Sequence, residues 1–296
     1  MKIVLIFAVF FVCRIVQFTF LKKTSGRIQG RTQLLTYTAY QYLISAVLSV
    51  FLLTDIKSIF SVSPLGLAIS LLGGIAMFSS SLCSMSALNS GVQLILTSLF
   101  SSISIIIPTV ASTFLFGEDM SIWQIIGVAA LLYAAGLLLG ISKESYRDFS
   151  VKGFLLLLGL FAADGMTMLA QKCYPYWEPE GDVAAYTFLA FGTAFILTGI
   201  MSAVDMGKTH TNVAKVMHKD LYIGGAVLAA VLFLVMYLGI VAVPLVPAVI
   251  LYSLVAGGTL LVAFGVATII FKEPVTKKNI IGVVISILAL IMINAL

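Results

Sequence analysis

Two ionisable residues lie in the middle of long apolar segments, where a charge is costly. Arg14 is within FFVCRIVQFTF, residues 10–20, and Asp164 is within FLLLLGLFAADGMTMLA, residues 154–170. A guanidinium offers a rigid fork of N–H donors that fits a carboxylate, and a carboxylate can receive an ammonium group. Together they could hold a zwitterion, and Asp164 could also bind and release a proton. The alternative is a buried ion pair that only locks the fold, although such pairs often fail to offset their desolvation.

The composition indicates that these two residues belong to a membrane protein. Of 296 residues, 61% are hydrophobic and 10% are charged, and the mean hydropathy is +1.14. Soluble domains carry about 25% charged residues, so this chain has too little polar surface for a water-facing globule. Open strand edges are too costly in lipid, and no segment alternates as a barrel strand would, so the spans must be helices.

The apolar segments are numerous enough for ten transmembrane helices. A helical span needs about 20 predominantly apolar residues. The first apolar segment lacks the small-x-small cleavage site of a signal peptide, so we expect it to be retained as a helix. The predicted fold class is therefore an all-α membrane protein with ten spans, at about 3–21, 33–53, 65–87, 92–116, 121–141, 153–171, 184–204, 221–241, 246–271 and 278–295.

The basic residues between the spans predict an orientation. Thirteen of the 17 Lys and Arg residues fall in the odd-numbered loops, whereas Lys2, Lys57 and Lys172 lie on the other side. Cytoplasmic loops carry the excess of Lys and Arg. We therefore expect a multi-pass protein of the inner or plasma membrane of the cell, with both termini outside the cytoplasm.

One pattern occurs twice in the chain. Residues 113–128 read TFLFGEDMSIWQIIGV, and residues 268–283, 155 positions later, read TIIFKEPVTKKNIIGV. A weaker match at an offset of 150 joins the first and sixth spans and sets Arg14 against Asp164. Each copy holds five spans, an odd number, so the second copy must enter the membrane from the opposite side. We predict two inverted five-helix repeats, residues 1–145 and 146–296, with a binding site between them.

The repeated motif resembles the drug/metabolite transporter superfamily, specifically its ten-helix EamA-type members. In both copies an apolar helix ends in Phe-x-Glu, a Ser or Thr follows three residues later, and the next helix begins with Ile-Gly-Val: FGEDMS…IIGV and FKEPVT…IIGV. The resemblance covers essentially the whole chain. It implies a secondary transporter, with export as the more typical direction.

The small multidrug resistance branch of that superfamily has a membrane carboxylate that binds protons and substrate, eight residues before a lysine. Asp164 precedes Lys172 by that spacing, and Arg14 precedes Lys22. The resemblance therefore implies that Asp164 binds substrate and couples transport to protons. The chain departs from the family pattern by carrying Arg14 in its first half. It also departs in orientation, because the ten-helix relatives usually have cytoplasmic termini.

Other polar side chains within the spans are candidates for lining a cavity. Lining and helix packing remain alternatives for each of them, and serines in spans serve packing more often. Lys22 and Lys172 lie near span ends, where snorkelling is the default and a secondary site role is the alternative. Glu118 and Glu273, at span ends, are interpreted as structural. The candidates for lining are Gln17, Tyr40, Gln41, Gln93, Tyr237 and Tyr252.

The leading functional hypothesis is a secondary transporter that works by alternating access, coupled to protons or to exchange. It would export a small polar metabolite such as an amino-acid-like zwitterion. A multidrug or organic-cation proton antiporter is the first alternative, and a non-transporting membrane protein or membrane enzyme is the second. The sequence contains no ATP-binding loop, Ser nucleophile elbow or His-rich zinc motif. We expect no enzyme activity, cofactor, metal or nucleic-acid partner, and a monomer or homodimer that contacts lipid and a small-molecule substrate.

Overall fold

The computed structural model describes residues 2–117, 121–138, 150–242, 245, 255, 258–259, 261–272 and 275–295. The predictions for Glu118, Glu273 and Tyr252, and residues 246–254, 256–257 and 260 of the predicted span 246–271, lie outside these residues. Regular structure in the described residues is helical throughout. The helices are α1 Lys2–Ser25, α2 Gly30–Val50, α3 Pro64–Asn89, α4 Leu94–Ile103, α5 Ile106–Phe116, α6 Ile122–Leu138, α7 Val151–Trp177, α8 Val183–Thr209, α9 Val213–Val216, α10 Lys219–Ala242, α11 Leu261–Ile270 and α12 Lys277–Ala295.

Helical structure is confirmed for the described residues, and six described segments are long and apolar enough to cross a bilayer, in agreement with a membrane protein. They are Val4–Ser25, Pro64–Asn89, Leu96–Phe116, Val151–Trp177, Val183–Thr209 and Lys219–Ala242. Helix α2 is also long, at 21 residues, but it is not among these segments. Polar residues, including the buried Gln33, Thr36 and Gln41, lower its hydropathy. The count of ten spans stays a prediction.

Polar side chains fix where the helices begin. The Ser63 hydroxyl accepts a hydrogen bond from the Gly66 amide at 3.1 Å, and Pro64 supplies the first helical residue of α3. Asp182 caps α8 by accepting from the Ala184 amide at 2.8 Å. These caps satisfy amide groups that a helix terminus leaves without partners.

The close helix pairs mostly join one half of the sequence to the other. Helices α1 and α2 pack against α10 and α8, and α3 packs against α7 and α8. Helix α2 also contacts α10, α4 contacts α7, α1 contacts α11, and α6 pairs with α12. The core therefore lies between residues 2–138 and residues 150–295.

Two buried tyrosines pack on glycines across this junction. Tyr37 of α2 and Tyr186 of α8 are both fully buried. A Cβ atom on Gly225 of α10 would lie 3.1 Å from Cε2 of Tyr37, and one on Gly73 of α3 would lie 2.6 Å from Oη of Tyr186. Each glycine therefore allows a helix of one half to approach a tyrosine of the other.

Polar contacts also join the halves at both ends of α2. At its beginning, Thr32 hydrogen-bonds the Asp205 carboxylate, and Gln33 Nε2 donates to the main-chain oxygen of Val216 at 2.7 Å. Beyond its end, the Asp182 carboxylate accepts from the Thr54 amide at 3.0 Å and from the Ser58 hydroxyl at 3.2 Å. Partial burial raises the pKa of Asp182, but these hydrogen bonds, together with that from Ala184, outweigh burial and leave the pKa below its usual value.

The glycine contact between α3 and α8 predicts a stability difference between two alanine variants. Gly74→Ala would place Cβ against the main-chain oxygen of Ala190 and 2.6 Å from Cβ of Thr193. We expect a loss of about 1–3 kcal/mol in the free energy of unfolding, because the main chain cannot move aside as a flexible side chain would. Thermal unfolding of the purified protein in detergent measures the change.

Gly192→Ala is the matched control, because Gly192 lies within α8 and has no atom within 4 Å of an added Cβ. Alanine there should preserve stability or raise it by up to about 1 kcal/mol through better helix propensity. Equal melting temperatures for the two variants would contradict the close packing of the two halves at Gly74.

Candidate functional site

A cavity of about 220 Å³ lies between the two halves of the bundle. Its volume is about seven times the share of one water molecule in the liquid, so it suits a small ligand. Side chains of α1, α2, α3, α4, α7 and α10 line it, together with Val255. Arg14, at the centre of α1, and Asp164, the central residue of α7, are both among them.

The lining residues of α1 and α7 occupy equivalent positions in the two halves. On α1 they are Phe10, Arg14, Gln17, Phe18 and Leu21. On α7 they are Leu160, Asp164, Thr167, Met168 and Gln171, each 150 positions later. The spacing follows one face of a helix, so the same face of each helix is turned towards the cavity.

Helices α3 and α10 show the same relation at an offset of 155. Met77, Ser80, Ser81 and Ser84 on α3 line the cavity, as do their equivalents on α10, which are Leu232, Val235, Met236 and Gly239. The positions correspond, but the chemistry does not. The α3 wall presents hydroxyl groups, and the α10 wall is apolar.

Asp164 is held by two serines from different helices. The Ser80 hydroxyl of α3 donates to its Oδ1, and the Ser101 hydroxyl of α4 donates to its Oδ2. Both carboxylate oxygens therefore have a hydrogen-bond donor within the bundle, which reduces the cost of placing a charge there.

Arg14 lies in more apolar surroundings than Asp164. Its Nη1 donates to Oε1 of Gln17 at 2.9 Å, and its guanidinium carbon lies 5.0 Å from the centre of the Phe10 ring. Its buried Nε makes no hydrogen bond to a described residue. The guanidinium and the Asp164 carboxylate line the same cavity without forming a direct ion pair. Arg14 therefore has donors available for an anionic group of a ligand.

Helix α2 contributes a third wall through Gln41 and Tyr42. The Tyr42 hydroxyl lies 2.6 Å from both the main-chain oxygen of Met77 and the Ser81 hydroxyl. It donates to the first and accepts from the second, which fixes the phenol at the edge of the α3 wall.

Of the predicted binding residues, Arg14, Gln17, Gln41 and Asp164 line the cavity. Tyr252 lies outside the described residues. The binding roles of all the predicted residues stay predictions. The remaining predicted residues are not part of the cavity lining. They are Tyr40, which packs edge-on against Tyr222 at 5.2 Å; Tyr237, which packs against Phe233 at 5.9 Å; Gln93, which directly precedes α4; Lys22, in the last turn of α1; and Lys172, whose Nζ lies 5.0 Å from the centre of the Phe116 ring.

Several lining residues were not among the predicted binding residues, namely Ser80, Ser101, Thr167 and Gln171. Thr167 and Gln171 follow Asp164 by three and seven positions, so the helical face of Asp164 would have identified them. Ser80 and Ser101 lie 84 and 63 positions from Asp164 in sequence, and only tertiary structure brings them together. Within the described residues, no group of three His, Cys, Asp or Glu residues is arranged to hold a metal ion.

Comparisons with known proteins give a fold and no family. No protein-family model matches the chain, and no curated protein matches it. By structure, 28 solved chains match. One of them, a crystal structure, has a TM-score of 0.63, covers 96% of this chain and 94% of its own, and shares 12% sequence identity. At that identity the likeness establishes a shared fold alone.

The hydrogen bonds to Asp164 predict a difference between two neighbouring serines. Ser80→Ala removes the donor to Oδ1 and leaves part of a carboxylate without a partner, so we expect a loss of about 1–3 kcal/mol in unfolding free energy. Ser79→Ala is the control, because its hydroxyl bonds only the Ile75 carbonyl of its own helix, and its effect should stay within about 0.5 kcal/mol. Thermal unfolding in detergent measures both, and an equal loss in the two variants would argue against the Asp164 contact.

Proposed function

We propose that the protein is a secondary transporter that works by alternating access and exports a small zwitterionic metabolite of the amino-acid type. The observation that carries the proposal is the cavity between the two halves, with a guanidinium and a carboxylate at equivalent central positions of α1 and α7. The carboxylate of the substrate would bind Arg14, and its ammonium group would bind near Asp164.

The pattern of helix contacts supports a two-fold relation between the halves, and the odd number of predicted spans in each half would make it the inverted relation on which alternating access depends. Exchanging α1 with α7, α2 with α8, α3 with α10 and α4 with α11 converts the pair α3–α7 into α10–α1. It likewise converts α3–α8 into α10–α2 and α4–α7 into α11–α1, and all of these contacts occur. A two-fold relation of this kind would give the inward-open and outward-open arrangements of the halves similar energies. Alternating access requires both arrangements.

The charge distribution favours a zwitterion over an organic cation. A ligand with only a positive charge would meet Arg14 in the same cavity as Asp164, and the like charge would oppose its entry. It would also provide no acceptor for the guanidinium of Arg14, whose hydrogen bond within the described residues goes to Gln17. A zwitterion provides a partner for both residues.

Transport by purified protein in liposomes tests the proposal. We expect uptake of one or more radiolabelled neutral amino acids, and we expect Arg14→Leu to abolish it while the protein still inserts and folds. The physical reason is that leucine preserves the apolar volume but removes every donor for the substrate carboxylate. Arg31→Leu is the control, because it removes the same charge from an exposed side chain at the start of α2.

Two results would contradict the proposal. Uptake kinetics in Arg14→Leu equal to those of the wild type would remove Arg14 from the site. Proton-driven movement of hydrophobic cations, with no response to amino acids, would favour the drug-antiport alternative.

A further inference from the structure

One wall of the cavity presents no polar side chain among its described residues. The lining residues of α10 follow one face of the helix over about three turns, and each of them is apolar or glycine. Val255, the described lining residue that follows α10 in the sequence, is apolar as well. A ligand therefore meets a continuous apolar surface on this side. The α10 wall consists of Leu228, Leu232, Val235, Met236 and Gly239.

The polar lining groups lie on the other helices, and many of them already have partners. Hydroxyl groups come mainly from α3 and α4, and side-chain amides come from α1, α2 and α7. Ser80 and Ser101 donate to the carboxyl group of Asp164. Thr97 and Ser98 donate to a main-chain oxygen within α4. These four hydroxyl groups therefore donate to the protein itself and are not free to donate to a polar side chain of a ligand.

The helix contacts place the apolar wall relative to the two ionisable residues. Helix α10 packs against α1 and α2, whereas α3 and α4 pack against α7. The apolar wall therefore adjoins the helix that carries Arg14, and the hydroxyl groups adjoin the helix that carries Asp164. With the carboxylate of a substrate at Arg14 and its ammonium group near Asp164, the side chain is the part left to occupy the α10 wall.

We propose that the α10 wall is the side-chain pocket of this site and that the substrates are amino acids with apolar side chains. The inference rests on the proposed function and narrows its substrate class. Each methylene group that leaves water for such a surface strengthens binding about fourfold. A polar side chain in the same place would lose its hydrogen bonds to water without replacement, which weakens binding roughly 5- to 150-fold.

The dimensions of the cavity favour side chains of moderate length. Its volume of about 220 Å³ is roughly that of seven water molecules in the liquid. The amino and carboxyl groups common to all amino acids take up part of this volume, and an aliphatic side chain such as that of valine or leucine fits the rest. At Gly239 the wall presents only main chain, and an added Cβ would meet no atom within 4 Å, so the pocket continues past Met236.

Two pairs of ligands with matching shapes test this inference on the wild-type protein. The side chains of L-leucine and L-asparagine have nearly the same shape, as do those of L-valine and L-threonine, but only the second member of each pair is polar. Equilibrium binding of each radiolabelled amino acid to the purified protein in detergent gives four dissociation constants. We expect leucine to bind roughly 5- to 150-fold more tightly than asparagine, and valine to bind more tightly than threonine.

The outcomes separate the inference from the proposed function. Binding of asparagine or threonine as tight as that of its apolar counterpart would overturn the apolar side-chain pocket and leave zwitterion transport in place. Failure of all four amino acids to bind the folded protein would overturn the pocket as well. If, in addition, no neutral amino acid is taken up into liposomes, the proposed function is overturned with it.

A pair of variants on α10 tests whether the wall itself makes the distinction. Val235 lines the cavity, whereas Val231, about one turn earlier, is also buried but is not part of the lining. Threonine has the shape of valine and adds one hydroxyl group. Val235→Thr should lower the ratio of the asparagine to the leucine dissociation constant about 2- to 12-fold, because the hydroxyl offers a polar side chain a partner. Val231→Thr should leave this ratio unchanged.

The ratio is taken within one variant, so a smaller amount of folded protein cancels out of it. Equal ratios in Val235→Thr and Val231→Thr would overturn the assignment of the α10 wall as the side-chain pocket.

Discussion

The cost of placing a charge away from water is the constraint on which the rest of the structure depends. Arg14 and Asp164 lie at the centres of two long apolar helices, where neither can reach bulk water along its own helix. The chain meets this cost by turning both residues towards a cavity between its halves and by giving them polar neighbours. Two serine hydroxyls hold the carboxylate, whereas the guanidinium has one glutamine and an aromatic face.

The two halves use equivalent positions for different chemistry. The faces of α1 and α7 that line the cavity correspond residue by residue, and those of α3 and α10 correspond in the same way. The helices of the two halves pack closely against each other, and a tyrosine of each half contacts a glycine of the other. The side chains differ in charge and polarity, so a ligand would meet a hydroxyl-rich wall with Asp164 and an apolar wall near Arg14. That difference would orient a dipolar molecule in one direction.

Hydropathy and the internal offsets predicted the helical membrane fold and directed attention to Arg14 and Asp164. They could not predict that Ser80 and Ser101 bind Asp164, because serines within spans usually serve helix packing and these two lie on other helices. Tyr40 and Tyr237 are of a residue type that is suited to binding, but they pack against other aromatic rings. The glycine pair at 224–225 lies against Thr24, Tyr37 and Tyr40, contacts between the halves that no local pattern reveals.

Cysteine labelling from water tests most directly whether the two halves enclose a polar chamber around these charges. In a chain whose Cys13, Cys83 and Cys173 have been replaced, Gln17→Cys and Thr167→Cys place thiols on the lining faces of α1 and α7. Both should react with a membrane-impermeant thiol reagent, because reaction requires a thiolate in contact with water. Ile15→Cys and Met166→Cys, at outward-facing positions that are 43% and 42% exposed, should stay unreactive in lipid. Reaction at 15 and 166 with none at 17 and 167 would contradict the account.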